Sequence, residues 1–176
     1  MNSTRRRSIG CYWRDAAWYF APIGDSTPFC THTAGPMAVT HSSTITKPSA
    51  ATASQCIYAG TGVMNETPLY GWYYINANNK SPSWTGVEYL YDFLTRPRAS
   101  LGPVAHATTD LRDAQLGDVI QLRFNGSTFQ HSQSSVDGST DKILVAAHSA
   151  DADWRPLSSY EYQELRILHI LGFYDE

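Results

Sequence analysis

The order of patterns along this chain predicts an α+β domain, with helices first and an antiparallel sheet after them. Three observations carry that expectation. Val87, Leu90, Tyr91 and Leu94 follow the period of a helix, whereas "GDVIQLRF" alternates Val119, Gln121 and Arg123 against Ile120, Leu122 and Phe124. Asp137-Gly138 then separates two further strand-like runs in the manner of a turn.

Taken in order, "YWRDAAWYFA" spaces Tyr12, Ala16, Tyr19 and Phe20 as a first helix would. From Pro22 to about Ala53 the texture changes to Thr, Ser, Pro and Ala with no apolar period, and Pro22, Pro28, Pro36 and Pro48 interrupt any helix. "ASQCIYAGTG" reads as the end of a helix stopped by Gly60 and Gly62. "TPLYGWYYINANNKSPSWTG" is an aromatic, turn-rich crossing, and "SWTGVEYLYDFLTR" is a helix that ends before Pro97. "GDVIQLRF", "STFQHSQSSV" and "KILVAAHS" are three strands in succession. "PLSSYEYQELRILHILGFY" fits either a helix or a last strand.

Bulk properties narrow the function. A chain of 176 residues is one domain, spanning 1–176, that can bury a core without disulfide or metal staples. A net charge of −3 with 16% charged residues offers no polybasic face for nucleic acid or anionic membrane. No run approaches the roughly eighteen apolar residues of a membrane span. "MNSTRRRSIGCYW" starts basic but meets Arg14 and Asp15 before any apolar stretch, so no secretory signal is expected. Cys11, Cys30 and Cys56, odd in number and irregular in spacing, form neither a disulfide framework nor a zinc pattern.

The chemistry-bearing residues cluster in the predicted sheet. His131 lies in the second strand and His148 ends the third, so two imidazoles on neighbouring antiparallel strands can meet on one face as a base and its orienting partner. Gly117-Asp118 opens the first strand. A metal-hydrolase reading with His131, His148, Asp151 and Asp153 as ligands is the weaker one, because "AAHSADADWRP" has no helical His pair; no metal and no cofactor are expected. Glu88 and Asp92 fit a solvated helix face, and His106 and His169 fit packing roles. Trp72, Tyr73, Tyr74 and Trp84 could line a groove for an extended peptide or glycan, or fill the core.

Several words along the chain resemble one known family. They are "YWRDAA" at Tyr12–Ala17, "SQCIYAG" at Ser54–Gly60, "GWYYINANNKSPSWTGVEYLYDFL" at Gly71–Leu94, "LGDVIQL" at Leu116–Leu122, His131-Ser132, and "ILVAAHSADADWRPLSSYEYQELRILHILG" at Ile143–Gly172. The chain resembles the putative amidase domain family, papain-like cysteine hydrolases related to the CHAP- and NlpC-type cell-wall amidases and peptidases. The resemblance is family-like over 53–172 and thin before it. It implies a papain-like fold with helices packed on a small antiparallel sheet, hydrolysis of amide bonds in peptides or peptidoglycan-type substrates, no cofactor, and a secreted or cytoplasmic bacterial setting.

In that family a helix opens on a word like Gly-Gly-Asp-Cys-Thr-Asn-Phe-Ala-Ser-Gln, whose Cys is the nucleophile at a helix N-terminus that lowers its pKa. Carried over, the base is His131 and the third group is His148. The nucleophile does not carry over: aligning Ala53-Ser54-Gln55 puts Ser49 at its position, followed by Ala50-Ala51-Thr52. Cys56 lies about two helical turns further on, too far to replace it. The stretch 18–52 is therefore aberrant. Joining the third base of each codon to the first two of the next lets Pro48–Ala53 spell Phe-Gly-Gly-Asp-Cys, so a frameshift over roughly 18–52 accounts for its linker-like texture. On that reading Pro22–Thr52 adds little to the core.

Overall fold

Small residues at the end of the linker-like stretch build a helix after all. The computed structural model describes residues 6–7, 10–14, 17–21, 49–97, 100–115, 117–139, 142–147 and 152–175. Helix α1 runs over Ser49–Thr61, and it starts in Ser49-Ala50-Ala51-Thr52, where sequence texture suggests no contribution to the core. Ala50 and Ala51 are buried in the main apolar cluster. The reason is elementary: Ala loses no side-chain entropy in a helix and has the highest helix propensity of any residue. The helix passes through Gly60 and is ended by Gly62, at φ +65, whose N–H returns to the Tyr58 carbonyl at 2.8 Å. Residues 22–48 lie outside the described residues.

The expected first helix is instead a hairpin. β2 (Gly10–Arg14) and β3 (Ala17–Ala21) pair antiparallel, with Tyr12 opposite Tyr19 and Trp13 opposite Trp18. Its run of Tyr, Trp and Phe has strong strand preference, and paired aromatic positions stabilise a hairpin; four residues at helical spacing do not outweigh that. Before it stands the two-residue strand β1 (Arg6–Arg7).

After α1 comes the aromatic crossing. It contains the short hairpin β4 (Tyr74–Asn76) and β5 (Asn79–Lys80), then the one-turn helix α2 (Pro82–Thr85). Helix α3 spans Val87–Leu94, as its apolar period predicts, and buries Leu90, Phe93 and Leu94. The strands that follow are β6 (Gly102–Thr108), β7 (Val119–Arg123), β8 (His131–Ser139), β9 (Lys142–Ala147), β10 (Ala152–Pro156) and β11 (Glu164–Tyr174). Together with β1 they form, among the described residues, a seven-stranded antiparallel sheet in the order β1-β11-β7-β8-β9-β10, with β6 also paired to β11. Asp137-Gly138 is not a turn: both residues stay in β8, paired with Leu144 and Ile143 beyond an irregularity at Ser135/Asp137.

The ambiguous C-terminal run resolves as a 3-10 turn over Leu157–Ser159 followed by strand β11. β11 is central and covered on both sides, so it carries apolar residues on both faces and loses the period of two that marks a half-exposed strand. Alternation divides the sheet into two layers. Val119, Leu168 and Ile170 face α1–α3, with Ala50, Ile57, Trp72 and Trp84. Ile120, Leu122, Ile167, Leu165, Ile143 and Val145 form the second layer on the opposite face, closed by Ala114 and Leu157.

Candidate active site

Helix α1 lies on the first face of the sheet and packs on β8. Its first turn carries Ser49 at the position of the expected nucleophile. The thiol of Cys56 is two turns along, buried and free. Ser54 is also buried, and its hydroxyl accepts a hydrogen bond from the Trp72 indole N–H at 3.0 Å. The helix is thus fixed to the aromatic core by a polar bond as well as by its alanines.

Beside it, at the junction of α3 with β7, β8 and β11, is a partly buried polar network. Arg166 on β11 donates through Nη2 to Glu88 Oε2 at 2.8 Å and through Nε to Gln121 Oε1 at 2.7 Å. The Gln121 amide donates to the Val87 carbonyl at 3.0 Å and to Ser132 Oγ at 3.1 Å. Glu88 Oε1 accepts the Phe129 backbone N–H at 2.7 Å, and the Arg166 guanidinium lies 3.7 Å from the Tyr91 ring centre and 4.0 Å from that of Phe129. Glu88 is therefore a structural partner, not part of a solvated face. Sequence reasoning missed Gln121 and Arg166; the available signal was a polar or charged residue inside the apolar runs "GDVIQLRF" and "ELRILHILGF".

The pleat of β8 separates the residues expected to act together. Ser132 pairs with Gln121 and shares the α1 face; His131 pairs with Leu122 and takes the other. The His131 ring meets the Phe124 ring edge-on at 5.2 Å between centroids. Phe124 in turn lines an open cleft of about 680 Å³ with Ser158, Tyr160, Glu161, Tyr162 and Gln163. The structure thus places Ser49 and His131 on opposite sides of the sheet. His148, Asp151 and the side chain of Asp153 lie outside the described residues.

Asp118 and His169 make a second acidic-basic pair, on the His131 side. His169 Nδ1 lies 2.8 Å from Asp118 Oδ1, while the Gln115 N–H donates to Asp118 Oδ2 at 2.8 Å. Burial pushes the Asp118 carboxyl above its ordinary 3.8, against the pull of the Gln115 N–H, the His169 imidazole and the Ile170 N–H. His169 is thus a partner of a buried acid rather than a packing residue. A raised carboxyl pKa favours the folded state fully below 3.8, and the advantage is lost as pH rises through the folded value. We expect the stability of the unaltered chain relative to Asp118→Asn to fall as pH rises from 3.8 through the folded value. Urea unfolding of both proteins across that range checks it; a flat or rising difference would refute the assignment.

The four groove aromatics divide as well. Trp72 and Trp84 are fully buried, with ring centres 4.8 Å apart and tilted by 37°, so they belong to the core and not to a groove. Tyr73 is half-buried and Tyr74 is exposed. The most exposed apolar side chains nearby are Leu69 at 75% and Tyr70 at 82%. A backbone clamp holds them out: Asn65 and Trp72 exchange N–H···O bonds of 3.0 and 2.7 Å, and Leu69 sits at φ +68. Gly71 is required there, since a Cβ would come 2.1 Å from the Asn65 carbonyl oxygen. Among the described residues no three His, Cys, Asp or Glu converge as metal ligands, and no helix is long and apolar enough to cross a membrane.

A family model described as "Putative amidase domain" matches residues 50–171 of the 176. No curated protein and no solved structure matches the chain. The matched span opens on the second residue of α1, contains the Arg166 network and both halves of the Asp118–His169 pair, and closes within β11. With well over half its length so matched, the chain belongs to the putative amidase domain family, whose named chemistry is the hydrolysis of amides.

Proposed function

We propose that the chain is a single domain over 1–176, a papain-like relative of the CHAP- and NlpC-type cysteine amidases and peptidases. We further propose that it does not, as encoded, hydrolyse the cell-wall peptide amides that such enzymes cleave. The observation that carries this reading is the first turn of α1, Ser49-Ala50-Ala51-Thr52, where a thiol should stand. Amide cleavage by this route needs a thiolate at a helix start, a histidine to take and return a proton, and backbone N–H groups for the oxyanion. A serine hydroxyl is far harder to ionise than a thiol, and Cys56 is buried away from any substrate. His131, the base carried over from the family, is across the sheet from α1, with His148 as its carried-over third group. The frameshift reading accounts for the missing word, and the coding DNA across 18–55 tests it directly.

Leu69 and Tyr70 support a second reading, a binding domain that keeps a peptide- or glycan-gripping surface without turnover. Incubation with peptide amides, cell-wall stem peptides among them, is expected to release no amine. Ser49→Cys is expected to add one site alkylated by iodoacetamide under native conditions. Hydrolysis by the unaltered chain that disappears in Ser49→Ala would overturn the proposal. Saturable peptide binding without turnover, lost in Tyr70→Ala, would favour the second reading.

A further inference from the structure

Strands β6 and β11 set two imidazoles side by side. His106 and His169 are direct cross-strand partners, so their side chains leave the same face, with Cβ atoms roughly 4.5–5.5 Å apart. That face is the one turned away from α1–α3, because Leu168 and Ile170 take the helix side. His106 is exposed and the His169 side chain is 24% exposed, so both rings can be reached from solvent.

The two rings are not equally free to turn. His169 is held through Nδ1 by Asp118 Oδ1, and Asp118 is itself only 2% exposed and fastened through Oδ2 to the Gln115 N–H. An imidazole that donates from Nδ1 keeps its lone pair on Nε2, at the opposite end of the ring. A carboxylate behind a histidine in this way fixes the tautomer and makes the ring a better metal ligand.

We propose that His106 and His169 form a two-imidazole site for a divalent first-row transition ion such as Zn²⁺ or Cu²⁺, with Asp118 as the positioning residue. Neutral imidazole nitrogen suits these ions and not Mg²⁺ or Ca²⁺, which take oxygen ligands. With no third His, Cys, Asp or Glu converging among the described residues, water completes the coordination. The site stands apart from α1 and does not depend on how Ser49 is read.

Calorimetry with ZnCl₂ on the full chain without a purification tag, and electron paramagnetic resonance with one equivalent of Cu²⁺, test this. One saturable equivalent is expected, with a Cu²⁺ spectrum showing two coordinated imidazole nitrogens and no heat from CaCl₂. His106→Ala, at an exposed position, should fold normally and bind roughly tenfold or more weakly, with one nitrogen remaining in the spectrum. Asp118→Asn should keep the stoichiometry and weaken binding about 10- to 100-fold. The chain has six histidines in all, so binding unchanged by His106→Ala would locate the ion elsewhere and overturn the proposal. Absence of saturable binding to the unaltered chain would do the same.

Discussion

Trp72→Ala is expected to destabilise the domain by about 3–5 kcal/mol, the range for deleting a fully buried large aromatic. The indole is completely covered, lies 4.8 Å from the Trp84 ring and stacks at 6.1 Å on Phe93, so its removal opens a cavity at the centre of the layer that holds α1 against the sheet. It also strips the buried Ser54 hydroxyl of its donor. Trp72→Phe separates the two contributions: it keeps a ring in the stack but leaves Ser54 without the indole, at a cost of about 1–3 kcal/mol. Denaturant midpoints for the two variants measure the difference. A loss within about 1 kcal/mol for Trp72→Ala would mean that the site collapses around the gap and that Trp72 does not anchor α1.

Arg166→Ala comes next, at about 2–4 kcal/mol. Breaking one side of a buried ion pair costs about 3–5 kcal/mol, but Glu88 is 39% exposed against 12% for Arg166, and water can re-solvate the orphaned carboxylate. Two cation–π contacts, each worth roughly 0.5–1 kcal/mol at partly exposed sites, restore part of that discount. The loss should be local before it is global. Glu88 holds the Phe129 N–H at the entrance of β8, so exchange of that amide should speed up more than exchange in β9. A double-mutant cycle with Glu88→Gln should give a coupling well beyond the roughly 0.3–0.5 kcal/mol of independent sites. A coupling inside that range would reduce Arg166 to a packing residue.

The particular elements explain what could be read in advance. α3 was legible because one face of a short helix repeats its apolar residues every turn, and β7 because its two faces alternate cleanly around Gln121. The hairpin at 10–21 was not, since its register sets aromatic residues opposite one another and adjacent sequence does not encode that pairing. β6, "GPVAHAT", went unseen for the opposite reason: it is a strand with weak intrinsic preference, held by seven paired residues of β11.

The site divides in the same way. The sequence alone determined the α+β class, the absence of a thiol at the start of α1, the family words, and the positions of His131 and Asp118. Only the tertiary structure decided which face of the sheet each of these residues occupies. That choice turns on register and pleat: a strand shows its side chains to opposite layers in strict alternation, and one residue of register reverses them all. In β8 the residues after His131 are Ser132, Gln133, Ser134 and Ser135, polar toward both layers, so no hydrophobic pattern announces which side His131 takes. The pairing with Leu122 sets it away from α1, and the pairing of His106 with His169 brings together two imidazoles that lie 63 positions apart in the chain.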